Sequence, residues 1–139
     1  MAFAGINYLA VLVATVAGFA FGAAYYMSLS RPWLAAMGKT REELAAAGKR
    51  SPVPFIVSIV ALLIMAWVLA GGIGHLGPGQ VTLRNAVISG LFMWLGFVIT
   101  TLAVNYSFGQ RRPMLTIIDG IHWLGVLVIQ GAIIGAMGV

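Results

Sequence analysis

Four long apolar stretches alternate with short polar connections along this chain. They cover about residues 3–28, 53–76, 85–105 and 114–138. Crossing the hydrocarbon core of a bilayer takes about 20 helical residues, and each stretch is long enough. Lipid offers no partners to backbone N–H and C=O groups, so spanning segments satisfy those groups internally, as helices do. The pattern therefore predicts an all-α, polytopic integral membrane four-helix bundle, built as a single transmembrane domain over residues 1–139. No positive residue precedes the first stretch, and its apolar run exceeds the roughly 7–15 residues of a signal-peptide core. It is expected to be retained.

The connections differ in character. Residues 29–52, LSRPWLAAMGKTREELAAAGKRSP, form the longest. A short amphipathic helix is predicted over 40–47, with Thr40 as its cap, Glu43 at the capping-box position and Gly48 as its stop. Pro52 and Pro54 suit the first turn of the next span. The second connection, GHLGPGQVTLR, is a Gly/Pro turn, and the third, SFGQRRP, is short and basic. Arg31, Lys39, Arg41, Lys49 and Arg50 lie in the first connection and Arg111 and Arg112 in the third, whereas the second holds only Arg84. Basic connections stay in the cytoplasm. Both termini are then expected on the non-cytoplasmic side, and Tyr25, Tyr26, Trp33, Tyr106 and Phe108 should form an aromatic girdle at the inner interface.

Composition excludes a water-soluble globule. The chain is 61% hydrophobic and 8% charged, with a mean hydropathy of +1.02, whereas soluble domains carry about 25% charged residues. The absence of cysteine excludes disulfides, thiol catalysis and cysteine metal sites. The net charge of +5 comes from residues beside apolar spans. Its expected partner is a bilayer with anionic headgroups, not nucleic acid, since no basic motif with base-stacking aromatics occurs.

Chemistry concentrates in TIIDGIHWLGVLVIQGAIIG, residues 116–135, where Asp119 and His122 share one helix face. Counting from Met114 at about 1.5 Å per residue puts them roughly 8 and 12 Å into the helix. Asn105, Arg111, Arg112 and Arg31 fall at a similar level, so Asp119, His122, Asn105, Arg111, Arg112 and Arg31 are predicted to cluster at the cytoplasmic end. Asp119 is expected to accept a hydrogen bond from His122 and to be reached by an arginine. Two readings stay open: a structural clasp, or a site for a proton, a cation or a small polar ligand. No GxSxG, P-loop, dinucleotide or HExxH motif occurs, so neither catalysis nor a metal is expected. His75 and His122 would lie on the order of 20 Å apart along the membrane normal, too far to sandwich a haem, and no cofactor is expected.

Small residues mark packing faces. Gly18 and Gly22 form one GxxxG pair and Gly131 and Gly135 another, for close helix approach within the chain or between subunits. Trp67, Trp94 and Trp123 are expected to fill the bundle core or line a pocket for a lipid-like or aromatic ligand. Thr100, Thr101 and Gln130 are expected to hydrogen-bond between helices.

The segments YYMSLSRPW and MGKTREELAAAGKRSPVPFIVSIVALLIMAWVLA resemble the opening half of the domain of unknown function 1761 family. GLFMWLGFVITTLAVNYSFGQRRPMLTIIDGIHWLGVLVIQGAIIGAMG resembles its closing half. Tyr26 through Pro32, the segment from Thr40 to Leu44, Trp94-Leu95-Gly96-Phe97 and the ending Gly131 to Gly135 carry the likeness by their order and spacing. The resemblance implies small bacterial membrane proteins with four helices, hence the bacterial inner membrane, and implies no established activity. Three functions are consistent with these observations. One is transport of ions or small solutes by a homo-oligomer. Another is a non-catalytic accessory or assembly subunit of a larger membrane complex. The third is a sensor that binds lipid or a small ligand.

Overall fold

The computed structural model of the protein describes residues 5–48 and 51–138, and these are helical without any strand. Helix α1 spans Tyr8–Ser28, α2 Ser30–Met37, α3 Arg41–Gly48 and α4 Val53–Gly74. The next span is a single run from Leu83 to Phe108, made of α5 (Leu83–Met93), a π turn (Trp94–Val98) and α6 (Ile99–Phe108). Helix α7 covers Pro113–Met137. Four helical runs, α1, α4, Leu83–Phe108 and α7, are long and apolar enough to cross a membrane.

Helix ends differ from expectation for local reasons. The first span starts at Tyr8 instead of residue 3, because the Asn7 side chain accepts from the Ala10 N–H at 3.1 Å and caps the first turn. Residues 3 and 4 of that span, with Lys49 and Arg50 of the charge count, lie outside the described residues. The third span runs three residues beyond 105. It closes where Gln110 takes φ 56 and the Arg111 N–H returns to the Tyr106 carbonyl at 2.9 Å, a Schellman arrangement.

The first connection holds two helices where one was predicted. Pro32 lacks the N–H that would continue the α1 ladder, so the chain breaks at Leu29 and restarts as α2. Gly38, at φ 71, then ends α2. Helix α3 begins with the Glu43 N–H donating to Thr40 Oγ1 at 3.1 Å.

Helix α7 is the hub. It packs on α1 and α5, and α1 packs on α4. Half of the most apolar window of α7 is buried, against 6% for the third span. Helices α1 and α7 run antiparallel, tied at one end by Asn7 Nδ2 donating to the Met137 carbonyl at 3.3 Å. At the other, the Tyr25 hydroxyl donates to the Ile118 carbonyl at 2.6 Å. The main core is rich in small side chains, with Ala14, Ala66, Ala70 and Ala86 beside Leu69, Ile73 and Ile134. Such residues let helices approach where lipid supplies no hydrophobic drive toward helix association. Gly131 and Gly135 take this furthest. A Cβ on Gly131 would sit 2.8 Å from the Ala86 carbonyl oxygen, and one on Gly135 2.7 Å from that of Thr82.

Among the expected interhelical bonds, Gln130 Nε2 donates to the Leu62 carbonyl of α4 at 3.1 Å. Thr100 and Thr101 do not bridge helices. Both are exposed, and each hydroxyl donates within its own helix, to Gly96 and to Phe97 and Val98. A threonine with no neighbouring helix satisfies its hydroxyl on the preceding turn.

Candidate ligand-binding site

Asp119 sits in the second turn of α7 on the face turned to its neighbours and is 8% exposed. Two tyrosines hold it. The Tyr26 hydroxyl, from the last turns of α1, donates to Oδ1 at 2.6 Å, and the Tyr106 hydroxyl, from α6, donates to Oδ2 at 2.7 Å. A carboxylate with both oxygens engaged is fixed in orientation, and it retains acceptor capacity, since its oxygens offer about four lone-pair positions.

The π turn explains how α6 delivers Tyr106. Trp94 and Tyr106 both face α7, where the Trp94 indole N–H donates to the Gly120 carbonyl at 2.8 Å. They lie twelve positions apart, which at 3.6 residues per turn would leave them about a third of a turn out of line. A π turn takes more residues per turn than an α turn and removes most of that offset.

His122, one turn beyond Asp119, does not bond to it. The Asp119 oxygens are turned to the tyrosine hydroxyls, and His122 Nδ1 is buried without a hydrogen-bond partner. The ring lies against Gly22 of α1, where a Cβ would stand 2.9 Å from Nε2. Phe21 stacks on it at 6.0 Å between centroids, and Tyr26 and Trp123 flank it at 4.8 and 4.6 Å. Gly125 leaves room for the Phe21 ring, whose Cζ is 2.3 Å from where a Cβ would be.

The rest of the predicted cluster makes no hydrogen bond to Asp119, although Arg111 is near enough to Tyr106 to act on it electrostatically. Asn105, Arg31 and Arg111 are exposed and make no hydrogen bond to Asp119. Arg112 donates to the Ala35 carbonyl and lies over Gly38, so it serves the C-terminal end of α2. Depth along the helix was the basis for grouping these residues, and depth leaves their direction around the helix open. Arg111 and Arg112 extend from the connection before α7 and Arg31 from α2, whereas Tyr26 and Tyr106 lie on helix faces turned to α7. Sequence reasoning placed both tyrosines in an interfacial girdle. Their common level with Asp119 was a usable signal, since a phenol at that depth has a donor to satisfy.

Beside this cluster a cavity of about 520 Å³ opens between α1, α4 and α7. Asp119, His122 and Trp123 line it from α7, and Gly22, Ala23 and Tyr26 from α1. Pro54, Phe55, Ser58 and Leu62 line it from α4, and Trp33 of α2 closes one end. The lining is mostly apolar. Gly18 contributes by letting Leu62 and Gln130 come close, at 3.2 and 3.4 Å from where its Cβ would be. Tyr26 and Trp33 also form part of a smaller cavity of about 400 Å³ that holds Ser30 and Arg41.

Residues 9–135 match the family described as "Protein of unknown function (DUF1761)". The chain belongs to this family. No curated protein and no solved structure matches it. The family match takes in every residue of the Asp119 cluster and of the large cavity, so the site lies within the DUF1761 domain. The family description assigns no activity, and the chemistry of the site rests on its geometry.

Proposed function

We propose that this DUF1761 protein is a membrane-embedded binding protein for a small amphipathic molecule that enters sideways from the lipid. One observation carries the reading. A cavity of about 520 Å³, large enough for a small ligand, lies between three apolar helices and combines apolar walls with an oriented carboxylate and an imidazole. Few, convergent polar groups in a mostly apolar cavity are the usual composition of a ligand site. The reading is a binding role without a catalytic step. The basic first and third connections support a cytoplasmic position for the Asp119 end, both termini outside, and residence in the bacterial inner membrane.

The test is native mass spectrometry of the protein extracted gently from its own membrane, compared with Ser58→Trp, which fills the cavity from α4. The intact protein should retain a small molecule that the variant has lost while melting at a similar temperature. A protein that carries nothing, and whose tryptophan fluorescence responds to no brominated amphiphile, would sink the proposal.

Transport by a homo-oligomer is the second reading, supported by the third span, whose most apolar window is only 6% buried and leaves a long face for a second copy. Flux in proteoliposomes that is unchanged in Asp119→Asn would count against it.

A further inference from the structure

We infer that the polar head of the bound molecule is an organic cation, an alkylammonium or quaternary ammonium group carrying an apolar tail. This rests on the binding reading of the same cavity and adds the charge of its ligand.

Asp119 is the acidic residue in the lining, and no lysine or arginine lines the cavity among the described residues. Its two hydrogen bonds come from neutral hydroxyls, and among the described residues no lysine or arginine forms an ion pair with it; Arg111 is exposed, lies outside the lining and acts on Tyr106. A charge taken out of water calls for a partner of opposite sign. An incoming ammonium group supplies that partner, and an anionic head would be repelled. Tyr26, Trp33, Phe55 and Trp123 add aromatic side chains from four helices to the same lining. Aromatic faces attract cations, and cages of aromatic rings are a way proteins hold quaternary ammonium groups. The remaining surface toward Gly18 and Leu62 is apolar and suits the tail. Arg41 stands in the adjoining smaller cavity, beyond the wall formed by Tyr26 and Trp33, near Ser30 Oγ at 3.4 Å.

The experiment is calorimetric titration of the full chain in nanodiscs of neutral lipid, with empty nanodiscs as the blank. Three probes of equal chain length are used: an alkyltrimethylammonium, its uncharged tert-butyl isostere and an alkylsulfonate. The cation should bind at least about tenfold more tightly than the isostere, through the carboxylate together with the cation–π contacts. Asp119→Asn should remove most of that preference. Phe55→Leu changes an exposed rim residue, keeps its apolar character and does not disturb the core. It should weaken the cation more than the isostere and so lower their ratio, which keeps the test decisive if Asp119→Asn does not fold. Equal binding of cation and isostere, or tighter binding of the sulfonate, would overturn the charge assignment while the cavity reading stands. No binding of any probe to a folded protein would overturn the cavity reading and this inference together.

Discussion

Two faces of α7 meet the same small-residue spacing, once on α7 itself and once on α1, with opposite outcomes. Toward its C-terminus, Gly131 and Gly135 bring α7 onto the backbone of α5, with the Ala86 and Thr82 carbonyl oxygens where side chains would be. Toward its N-terminus, the partner pair is Gly18 and Gly22 of α1, and what fills their space is side chain: Leu62, Gln130 and the His122 ring. The first arrangement is a backbone-to-backbone contact that cannot yield. The second makes room for an aromatic and polar cluster with a cavity beside it. A GxxxG pair therefore announces close approach and leaves open whether backbone or a functional side chain does the approaching.

The same substitution in both places tests this contrast. Gly131→Ala should have the largest effect, a loss of about 3 kcal/mol, at the upper end for overpacking because the Ala86 backbone cannot move aside. Denaturation titrated with an anionic detergent would measure it, and a variant as stable as the parent would dissolve the contrast. Asp119→Ala comes next. It strands the Tyr26 and Tyr106 hydroxyls and should cost about 2 kcal/mol, within the range for unsatisfied buried donors. A double-mutant cycle with Tyr26→Phe and Tyr106→Phe would check it, since removing donor and acceptor together should restore part of the loss.

Gly22→Ala should cost about 1 kcal/mol, less than at Gly131, because the obstructing atom is a side-chain nitrogen that can retreat toward the cavity. It should also weaken ligand retention, which Gly131→Ala would leave intact in whatever fraction folds. Equal stability losses at the two glycines, read from the same titration, would contradict the distinction between them. The smallest effect belongs to Arg112→Gln, about 0.5 kcal/mol, since Arg112 only supports the exposed C-terminal end of α2. Its ligand binding should match the parent. A strong loss there would return Arg112 to the site.

Much of this protein is legible one segment at a time. The cap at Thr40, the prolines opening α4 and the four apolar runs depend on residues within a few positions of one another, and periodicity reports such relations directly. Legibility falls where two segments meet. Helix α2 lies inside the first connection and is not evident from its own residues, although the first turn of a helix tolerates Pro32. Thr100 and Thr101 read as interhelical donors, yet they lie on a face that no helix covers. Asp119 and His122 were visible as polar residues in an apolar run. Their partners were not, because Tyr26 lies 93 residues away and Tyr106 reaches α7 only after a π turn that composition does not announce.

The division has a physical cause. Length and hydropathy suffice to make this chain a set of four membrane-length helices, because a lipid environment imposes backbone satisfaction on each segment independently. Packing of α7 against α1, α4 and α5 settled the remainder: that tyrosines and not arginines hold Asp119, that His122 is enclosed by rings, and that a cavity survives on one side of α7 while the other is sealed by glycine contacts. Those outcomes depend on the direction each side chain takes around its helix and on which helix stands opposite. Both are relations between segments, and no single stretch of sequence contains them.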